Sequence, residues 1–204
     1  MTRYRVSSVA RFAEWERDVD ADTGDLIDSI LGRSEPSQAM RAGTAFHSIL
    51  ERASVGDEID EATADGFTFM IAADFDIARG QIQEVRASKT YIVDGEPIVI
   101  RGQLDSITGK MIEDHKTTSR VDPDRYLSGW QWRLYLDIFG ADVFRWNVFE
   151  MSELPSEAAD SQITYEVRSL HRLEQTRYPD LGADCQAIVE RFARFVRENI
   201  EAHT

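Results

Sequence analysis

The sequence predicts a mixed α/β protein, a central mixed sheet flanked by helices, on three observations. Apolar residues recur at helical spacing through residues 37–53, where Met40, Ala45, Phe46, Ile49 and Leu50 fall on one side. The period then changes to two across three successive segments, residues 84–92, 98–107 and 110–116. Helical spacing returns after Pro123 and is followed by a further apolar alternating run at residues 143–150.

Taken in order, residues 6–17 carry Val6, Val9, Phe12, Ala13 and Trp15 in a helical pattern. Residues 37–53 form the stronger helix, residues 54–66 a loop that ends it, and residues 67–79 a further helix. The pairs Asp94-Gly95 and Thr108-Gly109 are turn signals, so the three segments between 84 and 116 read as an antiparallel meander. A helix over residues 124–139 is closed by Gly140, and a strand at 162–170 and a helix at 182–202 complete the chain. No repeat or low-complexity tract interrupts it, and the five prolines are scattered. The expectation is one domain over residues 1–204: a helical part over about 1–80, a sheet core over about 84–150, and a C-terminal strand and helix over about 160–204.

A composition of 42% hydrophobic and 29% charged residues is ordinary for a globular chain. The first residues lack the apolar run of a signal peptide and no segment could span a bilayer as a helix, so the expected location is the cytoplasm, a host's if the chain is phage-encoded, with no membrane partner. Cys185 is the sole cysteine, which excludes an intrachain disulfide and a four-cysteine zinc or iron–sulfur site within one chain; it reads as a small buried hydrophobe. The formal charge of −14 argues against nucleic acid, since Lys and Arg supply most of the affinity for phosphates. Much of the acid is grouped, however, in residues 14–28 and 57–65, which read as solvated faces and leave room for a basic channel elsewhere. Twenty of the 23 basic residues are Arg, the better phosphate fork, and Lys116 is one of three lysines.

The chemistry-bearing stretch is Gly102-Gln103-Leu104-Asp105 followed by Ile112-Glu113-Asp114-His115-Lys116-Thr117. One carboxylate ends a strand, and a carboxylate and an ammonium follow two residues apart in the next, where alternation sends Asp114 and Lys116 to one face. Two acids can hold a hard divalent cation through oxygen, while a lysine can orient a water or offset charge on a phosphate. The bland alternative is a hairpin with a surface ion pair. Against it stand Gly102, which permits close backbone approach, the apolar neighbourhood of both strands, and the polar exit Thr117-Thr118-Ser119 suited to phosphate contact. His47, with Glu51 one turn on, is a candidate cation ligand, although a lone helical histidine is more often structural. Glu84 opens the meander and is either a further carboxylate at the site or a strand-end residue facing solvent. Gln131 and Tyr135 lie within the apolar stripe of Leu127, Leu134 and Ile138; they either bond backbone within the core or flank the site and touch nucleic acid. Trp130 and Trp132 read as packing residues.

Taken together, Gly43-x-x-x-His47, Glu84, Gly102-x-x-Asp105, Asp114-x-Lys116 and Gln131-x-x-x-Tyr135 resemble, in order and spacing, the RecB-type branch of the PD-(D/E)XK nucleases, which includes phage-type exonucleases. The resemblance covers about residues 5–150, residues 4–12 being similar to the family's opening helix. It implies a restriction-endonuclease-like core in which His47, Asp105, Asp114 and the backbone carbonyl of His115 ligate Mg²⁺ or Mn²⁺, and Lys116 positions the attacking water. Glu84 would join the catalytic carboxylates, and Gln131, Tyr135 and Thr117 would lie near the nucleic acid. Two departures matter: His115 stands where an aromatic such as tyrosine is frequent, and the cysteines that hold an iron–sulfur cluster in several relatives are absent.

The resulting expectation is a metal-dependent deoxyribonuclease, an exonuclease of recombination or DNA repair that acts on DNA with a free end. By the same resemblance it could work beside a recombinase or single-strand-binding partner, and as a homo-oligomer. The competing expectation is a non-catalytic or DNA-mimicking acidic interaction protein on the same fold, which the −14 charge favours.

Overall fold

A computed structural model describes the backbone of residues 2–52, 61–72, 82–154 and 163–201, and the side chains of 3–51, 62–72, 85–154 and 163–201. Within these, β1 (Thr2–Arg5) leads into α1 (Val6–Trp15), α2 (Thr23–Leu31) and α3 (Gln38–Arg52). Five strands follow: β2 (Glu61–Ala64), β3 (Phe67–Ile71), β4 (Ile82–Val93), β5 (Glu96–Thr108) and β6 (Met111–Thr118). The chain then forms α4 (Pro123–Ser128), α5 (Gln131–Phe139), β7 (Val143–Glu153), β8 (Ile163–Thr176) and α6 (Leu181–Asn199). The protein is thus mixed α/β, with eight described strands in one sheet ordered β1-β5-β6-β7-β8-β3-β2 and β4 added on β5. Pairing is mixed: β1–β5, β6–β7 and β3–β8 run parallel, while β4–β5, β5–β6, β7–β8 and β2–β3 run antiparallel.

Consecutive residues of β7 feed two separate cores, as strand alternation requires. Phe144, Trp146 and Val148 join the larger cluster under α1, α5 and α6, while Phe149 and Met151 join a smaller one under α3 with Phe46, Phe69 and Val167. The sheet is therefore covered on both faces. No described helix is long and apolar enough to cross a membrane.

Several expected elements differ. The helix over residues 67–79 is instead strand β3 as far as Ile71, and residues 73–81 lie outside the described set. Phe67 and Phe69 are buried, and Phe69 packs on Phe46 at 5.2 Å, so a short apolar run takes the strand form its sheet neighbours offer. The supposed loop before it contains β2, joined to β3 by Asp65 and Gly66, both at positive φ as in a two-residue hairpin turn. Tyr4 and Arg5 belong to β1, parallel to β5, so the opening helix starts only at Val6. The acidic segment holds a helix, α2, capped by the Asp22 side chain on the Asp25 amide (2.9 Å) and ended by Gly32 in the left-handed region. Met40, assigned above to the apolar side of its helix, is 62% exposed. The helix over residues 124–139 is two, α4 and α5, broken at Gly129, whose extended ψ of 165° cannot continue a helix.

Cys185 is 0% exposed, and burial raises its thiol pKa to about 12, with the Asp137 carboxylate adding to the shift. It is expected to resist a disulfide reagent at pH 8 in the folded protein and to react promptly in urea. Reaction of the folded protein at the urea rate would contradict this packing of α6.

Candidate active site

The position of the site follows from how β5 shares its edges. One edge is held by β4 from Val93↔Glu96 to Ile82↔Ile107. The other is divided between β1, opposite Ile98–Arg101, and β6, opposite Ser106–Thr108. Between these two partners, residues 102–105 have no strand on that side among the described residues, and β6 diverges from β5 while staying paired with β7 as far as Thr118. Backbone polar groups exposed by such a split need other partners. Asp105 supplies one: its Oδ2 accepts the His115 amide at 2.6 Å, taking the place of a strand carbonyl. The same oxygen is 3.9 Å from His47 Nδ1, so α3 approaches the split from one face.

Asp114 lies on the opposite face and is 4% exposed. Gln131, the first residue of α5, donates to its Oδ1 at 3.1 Å, and the Lys116 ammonium stands 2.5 Å from its Oδ2. Oδ2 takes no hydrogen bond from elsewhere, so the ion pair is what answers it among the described residues. Burial pushes the Asp114 carboxyl upward in pKa, and nearby Asp105 adds to this while Lys116 opposes it. Burial disfavours the Lys116 ammonium, but the carboxylates of Asp114 and Asp105 outweigh it and move Lys116 upward. Burial moves His47 downward, Asp105 acting against that shift, which leaves a neutral imidazole able to ligate a cation.

Helix α5 is tied at three points. Besides Gln131, Tyr135 donates its hydroxyl to the Gln103 carbonyl (2.7 Å), and Asp137 accepts from Lys89 Nζ (2.7 Å) and Tyr91 (2.6 Å) on β4. Gly102 makes the Tyr135 approach feasible, because a Cβ there would lie 2.7 Å from the ring. Gly43 does the same for α3: a Cβ would meet Thr117 Oγ1 at 2.8 Å.

The structure therefore brings His47, Asp105, Asp114, His115 and Lys116 to one split in the sheet. Thr117 stands on the α3 face against Gly43, away from Lys116. Tyr135 points inward onto the β5 backbone, as in the core-bonding alternative raised above, whereas Gln131 bonds the Asp114 carboxylate and so flanks the candidate site. Glu84 belongs to β4, between residues paired with Ser106 and Leu104, but its side chain lies outside the described residues. Trp132 is buried, and Trp130 packs beside it under the Arg133 guanidinium. Sequence reasoning missed Tyr126 of α4, whose ring packs edge-on against Trp146, the neighbour of Asp114 on β7, at 6.2 Å. It falls within the helix expected over residues 124–139, but helical spacing gave no sign of the sheet beneath.

Among the described residues no group of three or more His, Cys, Asp or Glu side chains is drawn together closely enough to hold a metal ion. The donor types nonetheless suit a hard divalent cation: two carboxylates at the split, an imidazole tuned neutral, Asp114 Oδ2 met only by the Lys116 ammonium, and a buried His115 Nδ1 that makes no hydrogen bond among the described residues.

No protein-family model matches the chain, and no curated protein matches it. Among solved structures, the crystal structure of SSO0001 is similar with a TM-score of 0.56 at 15% identity, over 96% of this chain and 77% of that one. The crystal structure of LHK-Exo in complex with dAMP aligns with a TM-score of 0.45 at 16% identity, over 98% of this chain and 90% of that one. The likeness to SSO0001 concerns the fold alone.

Proposed function

We propose that this protein is a divalent-metal-dependent DNA nuclease of the RecB-type PD-(D/E)XK branch, an exonuclease serving recombination or repair. The observation that carries the reading is the meeting of Asp105, Asp114 and Lys116 where β5 and β6 part, with Lys116 held 2.5 Å from Asp114. Asp105, Asp114, His47 and the His115 carbonyl would hold Mg²⁺ or Mn²⁺, which when bound supplies charge neutralisation at the phosphate and a more acidic water. Lys116, protonated beside Asp114, donates to the attacking water and sets its line of approach. Gln131 fixes the rotation of the Asp114 carboxylate, and Tyr135 pins the β5 backbone two residues from Asp105. Thr117, still paired with β7 on the α3 face, and the polar residues that follow the end of β6 at Thr118 would contact a phosphate.

The acidic exterior disfavours lateral binding along a duplex and leaves a free end as the easier substrate. Linear DNA should be degraded and covalently closed circles largely spared, with activity falling steeply as salt rises. Equal rates on both at matched mass would reject the exonuclease assignment while leaving a nuclease. The charge of −14 favours a second reading, an acidic interaction protein on this fold, for which neither substrate would be cut.

A further inference from the structure

The break between α4 and α5 runs against the sequence, whose apolar spacing favours one helix over residues 124–139. Gly129 alone does not enforce it, since glycine in a helix interior costs only about 1 kcal/mol relative to alanine. What holds it open is a pair of side chains from the first turn of α5 that take the carbonyls at the end of α4. Trp132 Nε1 donates to the Leu127 carbonyl at 3.0 Å. Arg133 Nη1 donates to the Ser128 carbonyl at 3.0 Å and also to that of Gly129. The Arg133 guanidinium lies over the Trp132 ring at 4.4 Å and the Trp130 ring at 5.2 Å, so its fork is held in place by stacking. Carbonyls that lack helical partners are thereby satisfied without continuing the helix. The residue that follows the break is Gln131, and its amide reaches Asp114 Oδ1 because α5 begins there.

We propose that Arg133, assisted by Trp132, is a positioning residue for the candidate active site: it locks the α4–α5 break and so aims the Gln131 amide at Asp114. The catalytic consequence rests on the nuclease reading above; the positioning itself does not. Arg133 touches none of the reacting groups, and its effect passes through Gln131.

The test pairs a double-mutant cycle with a signal independent of turnover. In ¹⁵N-labelled protein, the Gln131 side-chain amide pair is assigned by its loss in Gln131→Ala. In Arg133→Ala this pair should shift and exchange faster with solvent, with partial return in Arg133→Lys, which keeps a donor but loses the planar fork. On linear DNA with Mg²⁺, Gln131→Ala and Arg133→Ala should each lower kcat about tenfold, and the double variant should fall no further. Losses that multiply to about a hundredfold, or an unchanged amide pair in Arg133→Ala, would overturn the proposal. Should Arg133→Ala not fold, Trp132→Phe removes the Leu127 hydrogen bond while keeping an aromatic ring in place, and an unmoved Gln131 signal there would overturn it equally. If the wild type cleaves no DNA, the amide signals still decide the positioning claim, and only the nuclease reading fails.

Discussion

Replacing Asp114 by asparagine is expected to lower DNA hydrolysis by about 10³-fold or more while leaving the protein folded. The carboxylate is buried and received on both oxygens, by Gln131 and by Lys116. Asparagine keeps its shape, and its NH2 can be received by Gln131 once that amide flips to present Oε1, but the Lys116 ammonium then faces a neutral amide in place of a carboxylate. The charge that would hold a cation is also removed, and such a cation stabilises the transition state by several kcal/mol, hence the size of the expected loss. Because a ligand that binds only the folded state raises its stability, Mg²⁺ or Mn²⁺ should raise the melting temperature of the wild type and not that of Asp114→Asn. Lys116→Ala should lose turnover and keep the metal-induced rise, since an ammonium is not a ligand. Wild-type cleavage by Asp114→Asn would place the chemistry elsewhere.

The largest effect on stability is expected at Trp146. It is 2% exposed, packs at a tilt on Phe144 with ring centroids 4.6 Å apart, meets Tyr126 edge-on, and stands beside Asp114 in the sheet. Truncation to alanine removes the ring from the larger core and leaves a cavity that rigid strands on both sides cannot close. The expected cost is about 3–5 kcal/mol, read from urea unfolding. Activity should fall as well, through the loosened β6–β7 pair beneath Asp114. A loss under about 1 kcal/mol would mean that the ring is not the keystone of that cluster.

The parts of the fold legible in the sequence were those with strong local signals. Asp94-Gly95 and Thr108-Gly109 marked both turns of the meander, and alternation through Ile98, Ile100 and Ile112 placed Asp105 and Asp114 on adjoining strands. The same Asp-Gly signal stood at residues 65–66, yet the run Phe67-Thr68-Phe69 was too short to separate strand from helix without its partners β2 and β8. The α4–α5 break was hidden because it depends on Arg133 and Trp132 reaching back to carbonyls, a contact that periodicity does not encode. In the candidate site the residue types were readable, and so was the shared face of Asp114 and Lys116. The split of β5 between β1 and β6 was not, since it rests on a parallel strand from the first five residues. The inward turn of Tyr135 was left open by the sequence, because a tyrosine at that spacing fits either a core or a groove; the Gln103 carbonyl is what fixes its direction.

The most direct measurement is release of acid-soluble nucleotide from linear duplex DNA by the purified protein, with and without Mg²⁺ or Mn²⁺. The expected result is release that requires the cation, stops on chelation, and is lost in Asp105→Ala and Asp114→Asn. No release with either cation, from folded wild-type protein on single- or double-stranded DNA, would contradict the nuclease reading and leave the acidic interaction protein in its place.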